Sequence, residues 1–194
     1  MPEGPELRLA GMFINKVASQ HLFGGKVIKS DLATKLSEVP FEAETYSLWA
    51  ESRGKELKVY LNPQNGEKKT KKKVKTVPEQ TVKHLLFKFG MSGCFRLASV
   101  EEIPKHAHLR FFSKDKKSVL CYVDYRRFGS WTINGEWGSD RGPDPITEYA
   151  DFRKNVLDNL DNAAFNRAIC ETLLNQKYFN GIGNYLRQVI IAIV

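Results

Sequence analysis

The chain has 194 residues, 42% of them hydrophobic and 27% charged, a balance that suits one large or two small folded domains and excludes a disordered chain. Lys plus Arg total 30 against 22 Asp plus Glu, a net charge of +8, which favours a polyanionic partner, nucleic acid or an anionic membrane, without choosing between them. No apolar run is long enough to span a bilayer, the MPEGPELRLAG start is too acidic for a secretory signal, and Cys94, Cys121 and Cys170 are too scattered for a disulfide framework or a zinc knuckle.

Residues 5–19 place Leu7, Ala10, Phe13, Ile14 and Val17 at helical spacing, and Pro5 with Glu6 opens that helix favourably. From about residue 25 to residue 131 the pattern turns to short strand-like runs at 57–61, 84–89, 94–97, 108–112 and 119–123. Turn residues such as Asn62-Pro63, Gly90 and Gly93 separate them. This predicts an α+β fold, an N-terminal helix with a mostly antiparallel sandwich or barrel. The polar stretch 62–76 interrupts it as a solvated loop, and its Lys68, Lys69, Lys71, Lys72, Lys73 and Lys75 against Glu67 hold most of the net charge. A localisation signal explains that run equally well. Residues 134–145, rich in Gly, Pro, Asp and Ser, read as a linker. Beyond it the period returns to helical: Phe152, Val156, Leu157 and Leu160 form one stripe, followed by Ala164, Ala168, Ile169, Leu173 and Leu174. The break Asn180-Gly181-Ile182-Gly183-Asn184 opens a last helix over 185–194. The division is therefore 1–133, linker 134–145, and a helical part 146–194.

Several residues carry chemistry. Pro2 would expose a secondary α-amine once Met1 is removed. An α-amine has an ordinary pKa of roughly 7.7–8.0, so a useful fraction is neutral near pH 7. Such an amine attacks carbonyl-level carbon, and a secondary amine gives a charged iminium that serves as an electron sink. Glu3 and Glu6 lie close enough to move protons for it. In isolation this start reads as an ordinary helix cap, and Lys55 as a solvated hairpin lysine. His106 and His108 alternate on a strand with no matching ligand cluster, which suits structural or nucleic-acid-facing histidines better than a metal site.

The start Pro2-Glu3-Gly4-Pro5-Glu6-Leu7 resembles that of the Fpg/Nei DNA glycosylases, the formamidopyrimidine-DNA glycosylase and endonuclease VIII family. Further resemblances follow in the family's order: Arg53-Gly54-Lys55, Phe89-Gly90-Met91-Ser92-Gly93, His106-Ala107-His108-Leu109-Arg110-Phe111, Asp124-Tyr125-Arg126-Arg127-Phe128-Gly129 and the run from Gln176 to Tyr185. Together they cover residues 1 to about 187.

The resemblance implies a bifunctional DNA glycosylase and abasic-site lyase of base excision repair, removing oxidised pyrimidines and ring-opened purines through a Schiff base on Pro2, followed by β,δ-elimination. Glu3 would be the acid/base residue, Glu6 a supporting carboxylate, and Lys55 a phosphate-binding catalytic residue. A base inside a duplex must be flipped out before it can be reached, and the void must be filled. By resemblance Met91, Arg126 and Phe128 fill it. The last segment would be a partial helix-two-turns-helix motif, with Asn184 at a helix start where free amides suit a DNA phosphate. No metal or cofactor is implied. The expected partner is damaged double- or single-stranded DNA, with other repair proteins beside it; the expected form is a nuclear monomer without membrane contact. The match fades after Arg187, before the finger that ends the family's chains, so a C-terminally truncated form with weakened DNA grip is expected. Two alternatives stay open: an isoform that binds damaged DNA with little catalysis, and an unrelated basic nucleic-acid-binding β protein.

Overall fold

The computed structural model describes residues 1–64 and 82–193; the lysine run 68–75 lies outside the described residues. The first helix, α1 (Gly4–Gln20), opens with Pro5 in its first turn, and the Glu6 carboxylate accepts the Glu3 N–H at 2.9 Å. Its buried side is Leu7, Gly11, Ile14 and Val17, the expected three- and four-residue spacing.

Among the described residues nine strands follow: β1 (Phe23–Lys26), β2 (Ile28–Lys29), β3 (Glu42–Arg53), β4 (Glu56–Pro63), β5 (His84–Lys88), β6 (Cys94–Ser99), β7 (Ala107–Phe112), β8 (Ser118–Val123) and β9 (Ser130–Ile133). They pair antiparallel into two sheets, one ordered β1-β3-β4-β5-β9 and the other β2-β7-β8-β6. The predicted α+β sandwich is what the chain forms. Between the sheets Phe87 packs against Phe95 and Tyr122, with ring centroids 5.1 and 5.0 Å apart. Phe23, Phe41 and Tyr46 fill the other end of the core.

The helix α1 seals the edge of β3 that β1 leaves unpaired. Asn15 does this with two hydrogen bonds: its Nδ2 donates to the Ala50 carbonyl at 2.8 Å, and its Oδ1 accepts the Ala50 N–H at 2.7 Å. The approach is close enough that a Cβ at Gly11 would stand 3.3 Å from the Leu57 side chain.

The last part is less regular than the sequence predicts. Helix α2 (Tyr149–Leu157) is followed by a 3-10 turn (Ala163–Asn166), a single-turn helix α3 (Ile169–Thr172) and α4 (Asn184–Ile193). The helical spacing expected through 164–174 is interrupted because Arg167 and Ala168 take extended backbone and the Thr172 hydroxyl bonds back to the Ala164 carbonyl at 3.0 Å. Val189, Ile191 and Ile193 of α4 are exposed.

Candidate active site

Sheet register brings three loops to one place. The β3–β4 turn, Gly54-Lys55, sits at the end where Glu56 pairs with Lys88, and Lys88 pairs in turn with Ser130. The loop after β5, which carries Met91, and the loop before β9, which carries Arg126 and Phe128, therefore leave the sheet at the same end as Lys55. Glycine makes the turn possible: Gly54 has φ +55, and a Cβ there would lie 1.8 Å from the Asn180 amide oxygen.

At the N-terminus, Glu3 is 1% exposed. Its carboxylate accepts the backbone N–H groups of Gly183 at 2.7 Å, Tyr185 at 3.0 Å and Leu186 at 3.2 Å. Those are the free amides at the start of α4, so Glu3 caps a helix from the far end of the chain. Sequence reasoning offered these amides to a DNA phosphate; Glu3 occupies them instead, and the exposed Asn184 side chain is what the helix start leaves outward. Gly183 is required by the contact, since a Cβ there would stand 2.3 Å from the Glu3 carboxyl carbon. The Gly4 N–H donates to the Gly181 carbonyl at 2.9 Å, joining the same two segments.

Glu6 is exposed, and the Tyr185 hydroxyl donates to its carboxylate at 2.7 Å. Burial pushes Glu6 up, but the Tyr185 hydroxyl, the Glu3 N–H and the terminal ammonium outweigh it and hold the carboxyl below its ordinary value. Pro2 is half-buried beside them. The Lys55 ammonium donates to the Ile182 carbonyl at 2.8 Å. Its pKa is lowered, chiefly by burial and further by the charge of Arg141, while the Glu3 carboxylate opposes the shift. Pro2, Glu3, Glu6, Lys55 and Asn184 are thus gathered around one turn, 180–184, though they span almost the whole chain.

A strap of side chains absent from the sequence-based site holds that cluster. Asp144 accepts the Gly54 N–H at 2.7 Å, and Glu148 accepts both the Asp144 N–H at 2.8 Å and the Arg53 guanidinium at 2.7 Å. Gln176 donates to the Ile182 carbonyl at 2.9 Å, the acceptor Lys55 uses, and accepts the Gly181 N–H at 3.1 Å. Buried Glu56 accepts the Gly138 N–H at 2.9 Å and faces Lys88 at 3.3 Å and Arg141 at 3.6 Å. The stretch 134–145 is therefore packed against both the turn and the helical part. Gln176 and Tyr185 bound the 176–185 run whose resemblance was legible in sequence; Asp144 and Glu56 carried no local signal.

Met91, Arg126 and Phe128 form a second cluster on the two neighbouring loops. All three are exposed, Phe128 by 62%, and the Arg126 guanidinium lies 5.3 Å from the Phe128 ring centroid. His108, by contrast, is buried in β7, with its Nε2 2.8 Å from the Asp124 carbonyl oxygen. The His106 ring packs against Tyr125 in a tilted arrangement, with centroids 5.0 Å apart. Among the described residues no three His, Cys, Asp or Glu side chains are grouped to hold a metal.

The antiparallel sandwich with its N-terminal helix is the fold of a formamidopyrimidine-DNA glycosylase N-terminal domain. The sequence profile of the formamidopyrimidine-DNA glycosylase N-terminal domain matches residues 1–131, and the chain belongs to that family. It is 49% identical over 193 residues to Endonuclease 8-like 1 of Homo sapiens and of Mus musculus, an alignment covering 98% of this chain and 47% of each relative. The chain thus spans about half the length of those relatives. Formamidopyrimidine-DNA glycosylase of Escherichia coli is 29% identical over 191 residues, 95% of this chain and 63% of that protein. Two solved structures share the fold. MutM in complex with DNA containing carbocyclic 8-oxo-G superposes with a TM-score of 0.65 at 22% identity, over 97% of this chain and 68% of that one. The MutM (Fpg) protein of Thermus thermophilus superposes with a TM-score of 0.59 at 23% identity, over 94% of this chain and 60% of that one.

Proposed function

We propose that this chain is a bifunctional DNA glycosylase and abasic-site lyase of base excision repair, acting on oxidised pyrimidines and ring-opened purines in nuclear DNA as a monomer. The observation that carries this reading is the convergence of residues 2–6, the Lys55 turn and the 180–184 turn around buried Glu3.

The chemistry follows from the groups present. After loss of Met1, the Pro2 nitrogen attacks C1′ of the flipped nucleotide and the damaged base departs. Protonation of the sugar ring oxygen opens the ring and leaves an iminium between Pro2 and C1′. Glu3, held by three backbone N–H groups, takes the proton that the Pro2 nitrogen sheds on attack, hands it to the ring oxygen and takes part in the later transfers. The iminium acidifies C2′, so loss of its proton expels the 3′ phosphate; a second elimination expels the 5′ phosphate. Lys55 holds a phosphate near the sugar, and Asn184 contacts the DNA backbone from the α4 start. Met91, Arg126 and Phe128 enter the stack: Met and Phe fill the void, and Arg hydrogen-bonds the orphaned base. Residues 1–133 supply the catalytic groups, 134–145 link, and 146–194 form a partial helix-two-turns-helix unit.

The test incubates the Met1-processed chain with duplex DNA carrying one oxidised pyrimidine, then with borohydride. Excision and a covalent adduct, both lost in Pro2→Ala, support the reading. Tight lesion binding with no excision and no adduct would favour a non-catalytic binding form instead.

A further inference from the structure

We infer that Asp124, acting through Ser92, is a positioning residue that locks the Met91 loop and the Arg126–Phe128 loop into one preformed wedge; this rests on the void-filling reading above. Asp124 is 1% exposed and sits at the base of both loops. Its Oδ1 accepts the Ser92 hydroxyl and, at 3.2 Å, the Arg126 N–H, while its Oδ2 accepts the Gly129 N–H at 2.7 Å. Ser92 closes the circuit, because its hydroxyl oxygen also accepts the Arg126 N–H at 3.0 Å. One carboxylate and one hydroxyl thus tie position 92 of the first loop to positions 126 and 129 of the second.

The backbone around them is built for the same contact. Gly90 has φ +59, and a Cβ there would lie 2.5 Å from the Phe128 carbonyl carbon, so the two loops touch where only glycine fits. Gly93 and Gly129 both press on the Tyr122 hydroxyl, which a Cβ at either position would strike at 2.5 or 1.9 Å. Asp124 itself is anchored to the sheet: its N–H donates to the His106 carbonyl at 3.1 Å, and its carbonyl oxygen lies 2.8 Å from His108 Nε2. The buried His108 is thereby given a task that neither catalysis nor metal binding assigned to it.

The consequence is pre-organisation. Two independent loops would each have to be ordered when the base leaves the stack, whereas a joined wedge enters already formed. A buried aspartate serving only local folding would affect stability; a positioning residue must affect insertion into the duplex more than attack on a sugar that is already accessible.

The experiment uses the full chain and Ser92→Ala, which removes the bridge but leaves Asp124 bonded to Arg126 and Gly129, with Asp124→Asn as the stronger variant. Stacking is read from 2-aminopurine fluorescence beside an uncleavable abasic analogue in duplex DNA. Chemistry is read from borohydride trapping on single-stranded abasic DNA. The fluorescence gain on binding should fall in Ser92→Ala, and the ratio of duplex to single-strand trapping should drop by about tenfold. Adding Met91→Ala to Ser92→Ala should then cost little more, because the wedge is already uncoupled. If Ser92→Ala keeps the wild-type fluorescence gain, or its effect simply adds to that of Met91→Ala, the two loops act independently and the inference is overturned. Asp124→Asn is scored only if circular dichroism shows it folded; Ser92→Ala decides the matter otherwise. Absence of any trapping by the wild-type chain would sink the proposed chemistry, while the fluorescence comparison would still judge the wedge.

Discussion

Replacing Glu3 by Gln asks whether this carboxylate is structural as well as chemical. In the wild-type chain two carboxylate oxygens accept three N–H groups at 2.7, 3.0 and 3.2 Å in a fully buried place. An amide of the same shape keeps one acceptor oxygen and turns an NH2 towards at least one of those donors. The loss of charge assistance on three bonds, with one buried donor left unpaired, costs about 2–4 kcal/mol. For a chain of this size that is a fall of roughly 4–16 °C in Tm. Differential scanning calorimetry of Glu3→Gln against wild type measures it, with borohydride trapping run beside it. Loss of trapping with an unchanged Tm would refute the reasoning, because Glu3 would then not be holding the start of α4. A lowered Tm with full trapping would refute the acid/base assignment instead.

Gly54→Ala places a Cβ at φ +55 against Asn180, which is 0% exposed and has no free space to retreat into. The backbone strain and the loss of the hydrogen bond that the Asn180 amide donates to the Gly142 carbonyl at 2.8 Å together cost about 3 kcal/mol or more, read as a Tm fall of roughly 6–12 °C. Lys55→Met should lower the magnitude of the slope of log affinity against log salt for abasic-analogue DNA by about 0.9, as expected for one phosphate contact. Because burial lowers the Lys55 pKa below 10.5, the unfolded chain binds the extra proton between that lowered value and 10.5, so wild-type stability rises with pH in that window. Lys55→Met lacks that rise, which Tm measured against pH detects. Tyr185→Phe removes a group that holds Glu6 below 4.5. The stability this confers is present above pH 4.5 and lost as pH falls through the folded pKa, so variant and wild type converge in Tm in acid; solvent screening at this exposed pair keeps the difference under about 1 kcal/mol.

Much of the architecture was legible in the sequence because it is local. The apolar spacing of α1 and the runs that became β4, β5, β7 and β8 depend on near neighbours. The longest strand among the described residues, β3, was harder to read. Its inward face from Tyr46 onward includes Ala50 and Ser52, which are small because α1 presses on that end of the strand. The failed helical stripe after residue 160 has the same cause, since a side chain eight residues away, Thr172, bonds the Ala164 carbonyl and competes with helix continuation.

The site divides along the same line. Pro2, Glu3, Lys55 and the wedge residues stand in motifs that the sequence displays. Their supports do not, because support is a long-range property: Asp144 meets Gly54 across 90 residues, and Glu3 meets Leu186 across 183. The occupation of the α4 amides by Glu3 could not be read from either segment alone. The net charge was a poor guide to position as well. Most of it sits in the 62–76 run, whereas the cations among the described residues of the site include Arg53, Lys55, Lys88, Arg126 and Arg141.

The most direct test of the central claim is to locate the covalent bond. The Met1-processed chain is trapped with borohydride on DNA containing an oxidised pyrimidine, digested, and its peptides mapped by mass spectrometry. The reduced sugar remnant should be found on the N-terminal peptide, on the nitrogen of Pro2, and should vanish in Pro2→Ala and in chain retaining Met1. A remnant on Lys55 or any other lysine, undiminished by Pro2→Ala, would contradict an N-terminal amine as the nucleophile.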